Sequence, residues 1–245
     1  MKSPPAPRLR EYVEALRAIW RCWEKGEPLA YRGRHYTFTL MTPNFTPESH
    51  GQPRVPVTIA AVGPGMLRVA GEVCDGVRLH GFCTRRYVDE VVIPELRAGW
   101  ARGGRTRERF EIAGGGFIAT GPDEASVAKM FEWVRTRVAF YGSTPAYWPV
   151  LECHGLHDLG RKLNVMSKAG QWDQMSAEIS DDVVRLFAAV GTHRDLAGQI
   201  ERRFGGVADA VTPSGGYGVH QDIPPDLIQD LRRIPAPFTG WPTRW

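Results

Sequence analysis

The chain has 245 residues, 42% of them hydrophobic, and its 31 basic and 27 acidic residues leave a formal net charge of +4. This is enough apolar material for one large domain, and the small, scattered basic excess excludes the dense positive surface of a nucleic-acid-binding protein. No apolar run approaches the roughly 20 residues of a bilayer-spanning helix and no signal peptide is recognisable, so we expect no membrane partner. The four cysteines show no CxxC spacing and predict reduced core residues of a cytoplasmic protein.

The first predicted element is an amphipathic helix over about residues 8–23, after a loop-like start at residues 1–7. Its wide apolar stripe must cover a sheet or other helices, yet no strand precedes it, which indicates a longer protein upstream. Alternating aromatic and polar residues at positions 31–38 then predict a short strand or hairpin, and a proline-rich loop follows to Pro53.

Residues 56–77 are the centre of the predicted fold. An apolar, β-branched run opens this stretch, the turn Gly63-Pro64-Gly65 interrupts it, and apolar residues then recur at helical spacing. The pattern predicts a strand, a tight turn and a helix. The strand has almost no polar residue on either face, which is typical of a parallel strand covered on both sides.

The turn in this unit has the properties of an anion site. Pro64 suits the first position of a helix, and the flanking glycines leave backbone amides open to a negative charge. The motif is neither a dinucleotide fingerprint nor a P-loop, so a tight turn without any ligand is the alternative on local sequence alone.

The next predicted elements continue the alternation of strand and helix. Residues 76–82 predict a second strand, and Thr84 is the expected N-cap of a long helix that ends near Gly103. A third strand is predicted over residues 110–119. Its run of three glycines at 114–116 indicates a bulge or a close backbone approach, by a ligand or by a bulky neighbour.

The remaining part of the chain is less regular. A helix is predicted to begin at residues 121–124, followed by a polar aromatic loop at 140–147 and several short helices over 150–186. A helix capped by Thr192 is then predicted to end near 204–206, before a fourth short strand at 207–211. A helix at 224–234 and a tail at 235–245 complete the prediction.

This order predicts a helix followed by four βα units, with insertions at about residues 26–55 and 141–190. Alternating strands and helices indicate parallel pairing. Four such units are half of a (β/α)8 barrel, which usually needs about 250 residues for all eight. The predicted fold class is therefore α/β, an incomplete TIM barrel over residues 1–234 with a C-terminal tail.

Four residues are candidates for a substrate pocket. His80 and Phe82 fall at the end of the second predicted strand, on the face where barrel enzymes build their active sites, although a purely structural histidine is an equal alternative. Tyr141 and Ser143 belong to the aromatic loop, which is expected to form either a substrate lid or a simple connector.

A second cluster raises the question of a metal site. Potential ligands occur close together at Glu152, Cys153, His154, His157 and Asp158. Their spacing fits no familiar zinc pattern, and short helices would direct them to different sides, so we expect no metal. A serine-histidine-aspartate triad cannot be argued from order or spacing either.

The chain resembles the luciferase-like monooxygenase family over essentially its whole length. The runs that carry this resemblance are LREYVEALRAIW at 9–20, YRGRHY at 31–36, residues 56–64, and Cys74-Asp75-Gly76. Two further runs, YTFTLMTP at 36–43 and FYGSTPAY at 140–147, are similar to the branch of the family assigned to the deazaflavin coenzyme F-420. The resemblance implies a (β/α)8 barrel of which this chain matches only the carboxy-terminal portion.

The resemblance also implies where a cofactor lies. The residues usually credited with chemistry in the family belong to the absent amino-terminal half, so no catalytic residue is assigned. The family holds the phosphate end of its cofactor with backbone amides after the fifth strand. The corresponding positions here are Ala60, Ala61, Val62, Gly63, Pro64, Gly65 and Met66. The implied cofactor is F-420, with FMN as the alternative.

Two classes of function follow. The first is an oxidoreductase that transfers hydride between F-420 and an unidentified small organic substrate, or an FMN-dependent monooxygenase. The second is an inactive half-barrel that acts only by self-association or by pairing with another chain. A half-barrel would expose two strand edges, at residues 57–61 and 207–211, and an apolar face, so we expect a homo-oligomer.

Overall fold

The computed structural model describes residues 5–211 and 223–244. All strands within these ranges are short. They are β1 (Tyr31–Arg32), β2 (Thr37–Phe38), β3 (Thr58–Ala61), β4 (Gly76–Leu79), β5 (Glu111–Ala113), β6 (Phe117–Gly121) and β7 (Ala188–Thr192).

Ten α-helices accompany these strands in the described ranges. They are α1 (Pro5–Lys25), α2 (Pro64–Val73), α3 (Arg85–Tyr87), α4 (Ile93–Gly103), α5 (Glu124–Gly142), α6 (Trp148–Glu152), α7 (His157–Lys168), α8 (Asp181–Phe187), α9 (Leu196–Phe204) and α10 (Pro225–Arg232). A π turn at Val88–Val92 joins α3 to α4. None of the helices in the described ranges is long and apolar enough to cross a bilayer.

The central sheet is parallel, as the sequence predicts. Its strand order is β3-β4-β5, and a parallel bridge between Ala113 and Ala210 extends it on the β5 side. The predicted fourth strand at 207–211 is thus reduced to this single bridge. Strand β3 pairs only with β4 in the described chain and leaves Ala60 exposed, so the expectation that both of its faces are covered is wrong.

The predicted third strand divides into two strands at the glycine run. Gly114 and Gly115 have φ values of +83° and +128°, which an L side chain rarely adopts, and a Cβ on Gly114 would lie 2.8 Å from the Leu79 carbonyl oxygen. The run is therefore a break rather than a bulge. Strand β5 ends before it in the central sheet, and β6 begins after it in a second sheet.

Strand β7, the partner of β6, has no counterpart among the predicted elements. The two strands pair in parallel from Phe117 opposite Ala188 to Gly121 opposite Thr192. Thr192 therefore ends a strand and does not cap a helix; its hydroxyl donates to Asp195, which precedes α9. The missed strand contains two alanines and a glycine, a composition with weak β propensity.

The predicted loop at 140–147 also differs in the structure. Helix α5 continues to Gly142, so Tyr141 lies on a helix and Ser143 forms its C-cap. A short 3-10 turn, Pro145–Tyr147, follows.

The α/β class with parallel strands is confirmed, and the barrel is not closed in the described ranges.

Helices α2 and α4 lie unusually close because glycines form their contact. A Cβ on Gly71 of α2 would lie 2.5 Å from the Leu96 carbonyl oxygen, and a Cβ on Gly99 of α4 would lie 2.3 Å from that of Arg68. Any side chain at these two positions would separate the helices. Their close contact holds α2, and with it the turn that precedes α2, against the rest of the fold.

Helix α1 packs on α2 and anchors the β1–β2 hairpin. The carboxylate of Glu11 accepts hydrogen bonds from the amides of Arg34, His35 and Tyr36 at 3.1, 2.6 and 3.3 Å. The Tyr31 hydroxyl donates to Glu14 at 2.9 Å. The predicted hairpin is therefore confirmed and is attached to the first helix.

Asp75, directly before β4, is fully buried and joins three other segments of the chain to that strand. Its carboxylate accepts hydrogen bonds from Arg17 of α1 at 2.6 Å, Arg54 at 2.8 Å, Arg105 after α4 at 3.1 Å, and the amide of Val57 at 2.9 Å. Burial would raise the pKa of Asp75, but the Val57 amide and the charges of Arg17 and Arg54 hold it below its usual range.

Replacement of Asp75 with asparagine is expected to lower the free energy of unfolding by roughly 3–5 kcal/mol, because it leaves the arginines around it without their shared anion. Urea unfolding followed by circular dichroism measures the loss. Asp230→Asn, which breaks an exposed pair with Arg233, is the matched control and is expected to cost less than about 1 kcal/mol.

The pH dependence provides a further check on Asp75. Its folded-state pKa is lowered, so its contribution is complete above the unfolded pKa of about 3.9 and is lost as the pH falls through the folded value. The stability difference between the wild type and Asp75→Asn should therefore be constant near neutral pH and narrow below about pH 4. A difference that does not change with pH would contradict the assigned charge.

Candidate functional site

The candidate site lies where β3 and β4 end side by side. The ladder pairs Ala61 with Leu79, so the residues that follow, Val62 and His80, leave the sheet next to each other. Both line a cavity of about 10 Å³ that also contacts the buried ring of Tyr87. The structure therefore brings the predicted anion turn and the predicted substrate residue His80 together at the carboxyl end of the sheet.

The turn after β3 leaves two backbone amides free. Gly63 is the N-cap of α2, and its carbonyl accepts from the amides of Met66 and Leu67, each at 3.1 Å. Within residues 5–211 and 223–244, the amides of Gly63 and Gly65 donate to no other group. A Cβ on Gly63 would meet nothing within 4 Å, so the space around the turn is open. Open amides at a helix start are suited to an anion.

The seven predicted cofactor positions are thus not equivalent. Ala61 is buried within the ladder, Ala60 is an exposed strand residue, and the amide of Met66 bonds to Gly63. Pro64 has no amide hydrogen. Gly63 and Gly65 contribute free amide donors in the turn itself.

Tyr87 fixes the position of this turn. Its hydroxyl donates to the Val62 carbonyl at 3.0 Å, and its ring is 1% exposed. Burial raises the pKa of Tyr87 to about 12, so the hydroxyl keeps its proton and remains a donor. Thr84 begins the helix that carries Tyr87, and its side chain accepts from the Tyr87 amide, which confirms the predicted cap.

His80 has a defined protonation state. Its Nδ1 accepts a hydrogen bond from the Phe82 amide at 2.9 Å, so Nδ1 carries no proton and the neutral ring holds its proton on Nε2. Burial lowers the pKa of His80, which favours this neutral form. No hydrogen bond to Nε2 is found in the described chain, and this atom remains accessible to solvent.

Aromatic rings surround His80. The ring centroid of Tyr141 lies 4.4 Å from that of His80, and that of Tyr147 lies at 4.8 Å. Phe82 is completely buried below them and stacks on Phe187 at 4.4 Å. His80, Phe82 and Tyr141 are therefore brought together, with Phe82 as the floor of the group rather than an exposed contact.

Ser143 has a structural role, unlike the other three predicted substrate residues. It is buried, its hydroxyl donates to the Phe140 carbonyl at 2.7 Å, and its own carbonyl accepts from the Asn164 side chain at 2.7 Å. These bonds close the end of α5 and attach it to α7.

Sequence reasoning did not select Tyr87, Tyr147 or Phe187 as site residues. Tyr147 ends the run FYGSTPAY, whose other tyrosine was selected, and Tyr87 follows the cap Thr84 by one helical turn. Phe187 lies next to the missed strand β7 and had no comparable signal.

The potential metal ligands at 152–158 do not converge. Cys153 Sγ donates to the Val150 carbonyl, and His154 Nε2 lies 2.7 Å from the Thr84 hydroxyl. Across residues 5–211 and 223–244, no three histidine, cysteine, aspartate or glutamate side chains are arranged to hold a metal ion.

Comparisons with known proteins agree with the fold and give the family. The sequence model of the family described as luciferase-like monooxygenase matches residues 2–210. An uncharacterized protein of Mycobacterium tuberculosis is 44% identical over 94% of this chain and 67% of its own length. A 5,10-methylenetetrahydromethanopterin reductase of Archaeoglobus fulgidus is 29% identical over 86% of this chain and 60% of its own length.

Solved structures show the same architecture. A coenzyme F420-dependent tetrahydromethanopterin reductase from Methanopyrus kandleri superposes with a TM-score of 0.66 at 20% identity, over 96% of this chain and 63% of that one. An F420-dependent secondary alcohol dehydrogenase gives a TM-score of 0.56 at 16% identity, over 94% of this chain and 64% of that one. The chain thus spans about two thirds of the length of these relatives.

The match to the family model covers most of the sequence, including β3, α2 and β4, which form the candidate site. The chain belongs to the luciferase-like monooxygenase family.

Proposed function

We propose that this chain is part of an oxidoreductase that binds coenzyme F-420 and transfers hydride to or from a small organic substrate held beside His80. The observation that carries the proposal is the pair of free amides, at Gly63 and Gly65, next to the neutral His80 at the carboxyl end of the sheet. The names of several relatives as F420-dependent enzymes support the choice of cofactor.

The residues at the turn fit the phosphate end of such a cofactor. The amides of Gly63 and Gly65 are unpaired, the helix dipole of α2 favours a negative charge at this end, and a Cβ at 63 would occupy empty space. When bound, a deazaflavin supplies the hydride acceptor or donor. The chain's own residues hold its anionic end and keep the turn in place through Tyr87.

His80 would position the substrate. Its Nε2–H is a neutral donor that faces solvent at the carboxyl end of β4, and it suits a substrate oxygen such as that of a carbonyl or alcohol. Tyr141 and Tyr147 pack against the ring and limit its rotation. The aromatic surroundings exclude water from one side of the substrate, which strengthens a hydrogen bond from Nε2.

Fluorescence titration with F-420 and with FMN tests the proposal directly. Binding of F-420 in preference to FMN supports it, whereas preference for FMN would favour the monooxygenase alternative. Absence of binding to either cofactor, both by this chain and by a version extended to the full length of its relatives, would favour the inactive half-barrel that acts only by association.

Gly65→Asp is expected to weaken F-420 binding about tenfold, because it places a carboxylate beside the phosphate. Gly65 is the second residue of α2 and is exposed. Ala125→Asp is the matched control, since Ala125 is the exposed second residue of α5. Equal affinities of the two variants would contradict the assigned turn.

The imidazole of His80 is expected to be neutral at pH 7 with its proton on Nε2, and to titrate below the usual value of about 6.5 because it is buried. Two-dimensional NMR of the imidazole nitrogens shows both the tautomer and the pKa. A proton on Nδ1 in the neutral form, or a positive charge at pH 7, would contradict the role of Nε2 as a neutral donor.

We also infer that the chain self-associates. The exposed edge of β3 and the exposed side chains of Leu40, Phe45 and Tyr12, which are 79%, 80% and 51% accessible, support this. Light scattering at tens of micromolar is expected to show a dimer or a larger species. A stable monomer at this concentration would mean that these surfaces do not drive association.

A further inference from the structure

Thr84, the N-cap of the helix that carries Tyr87, has a second partner in His154. Thr84 is buried, and its Oγ1 accepts a hydrogen bond from the Tyr87 amide at 3.1 Å. The same oxygen lies 2.7 Å from Nε2 of His154, which is 70 residues away in the sequence. Since the Tyr87 hydroxyl donates to the Val62 carbonyl at 3.0 Å, a continuous series of contacts leads from His154 to the turn after β3.

The direction of the hydrogen bond between Thr84 and His154 follows from the protons available. A hydroxyl has one proton to donate. In the described chain, the Thr84 hydroxyl contacts His154 Nε2 and the sulfur of Cys153, and sulfur is the weaker acceptor. The hydroxyl therefore donates to Nε2, so the neutral ring of His154 holds its own proton on Nδ1.

A positive charge on His154 would reverse this arrangement. Protonated Nε2 is a donor, so Thr84 would accept two hydrogen bonds and its own proton would lose its nitrogen acceptor. A buried donor without an acceptor is unfavourable. Rotation of the Thr84 side chain would relieve this only by giving up the bond to the Tyr87 amide. The cap at Thr84 is thus compatible with the neutral ring and is disturbed by the charged one.

The surroundings of His154 also favour its neutral form. Burial lowers the pKa of His154. The charges of Arg86 and Arg203 lower this pKa further, and that of Glu90 opposes them without reversing the shift. Burial raises the pKa of the Cys153 thiol, which therefore adds no charge. The other charged residues that line the cavity beside His154 are Arg85 and Asp89, which pair with each other, and Arg185.

The segment that ends at His154 also reaches the aromatic side of the candidate site. The amide of His154 donates to the Leu151 carbonyl at 2.9 Å, and Leu151 is a completely buried residue of α6. Tyr147 is the N-cap of α6, and its ring centroid lies 4.8 Å from that of His80. One short segment therefore contacts His80 at its start and the cap at Thr84 at its end.

We propose that neutral His154 is a positioning residue for the turn after β3, and that protonation of His154 weakens binding of the cofactor at this turn. A proton on Nε2 loosens the cap at Thr84 and moves Tyr87, so the free amides of the turn lose their fixed direction. The identity of the ligand rests on the proposed function, whereas the coupling between His154 and the turn can be measured without any ligand.

NMR of protein with isotopically labelled glycine measures this coupling. The amide signals of Gly63 and Gly65 are assigned by their loss in Gly63→Ala and Gly65→Ala. We expect both signals to shift as the pH falls below about 6.5, the ordinary pKa of histidine. The shift should be smaller in His154→Gln, because the glutamine oxygen accepts from Thr84 and does not titrate. Any shift that remains in this variant is assigned to His80, which is unchanged.

Fluorescence titration with F-420 measures the consequence for binding. At about pH 8, where histidine is neutral, His154→Ala is expected to weaken binding about three- to tenfold, as for one lost hydrogen bond. His154→Gln should restore most of the wild-type affinity, since it keeps an acceptor for Thr84. His157→Gln is the matched control, because His157 is an exposed histidine at the start of α7, and it should bind as the wild type does.

The pH dependence of binding separates positioning by the neutral ring from simple packing. The folded-state pKa of His154 is lowered, so its contribution is complete above the unfolded value of about 6.5 and is lost as the pH falls through the folded value. The affinity of the wild type and of His157→Gln should therefore fall more steeply below about pH 6.5 than that of His154→Gln.

Three results would overturn the proposal. They are equal pH-dependent glycine shifts in the wild type and His154→Gln, equal affinities of the wild type and His154→Ala, and a neutral His154 with its proton on Nε2. If thermal unfolding shows that His154→Ala does not fold, the comparison of the wild type with His154→Gln decides. Absence of F-420 binding together with the glycine shifts would contradict the proposed function and leave the positioning role of His154 in place.

Discussion

The fold depends on the burial of one carboxylate, Asp75, at the start of β4. A buried anion is unfavourable unless it is paired and hydrogen-bonded, and Asp75 achieves this with three arginines and the Val57 amide. Those partners come from α1, the long loop before β3, and the segment after α4. Because all of them must meet at one carboxylate, the cluster determines how the first helix and the loop lie against the sheet.

The same cluster sets the geometry of the candidate site at the opposite end of the strands. It holds the start of β3 beside the start of β4, and the ladder then carries this alignment to Ala61 opposite Leu79. Val62 and His80 consequently emerge together. The glycine contact between α2 and α4 and the hydrogen bond from Tyr87 to Val62 hold the turn from its outer side. Strands β3 and β4 thus connect the Asp75 cluster to the candidate site.

Strong local patterns were sufficient to predict much of this chain. The helix after residue 7, the hairpin, the unit at 56–77 and the cap at Thr84 all follow from apolar periodicity and capping chemistry, and all are present. The failures occur where the local signal is weak. Strand β7 has little β-branched content, and the break at Gly114 depends on the approach of Leu79, which no local pattern contains.

The sequence by itself determined the α/β class, the parallel pairing of β3 with β4, the glycine turn and the family. The first three properties depend on periodicity and residue type, which are local. The family follows from runs of residues whose order and spacing resemble those of its members. Tertiary structure alone decided the tautomer of His80, the hydrogen bond from Asn164 to Ser143 and the position of the Arg203 guanidinium among the carbonyls of Cys83 and Leu186. Each of these is set by which donor or acceptor lies nearby after folding, and residues distant in sequence supply several of those partners.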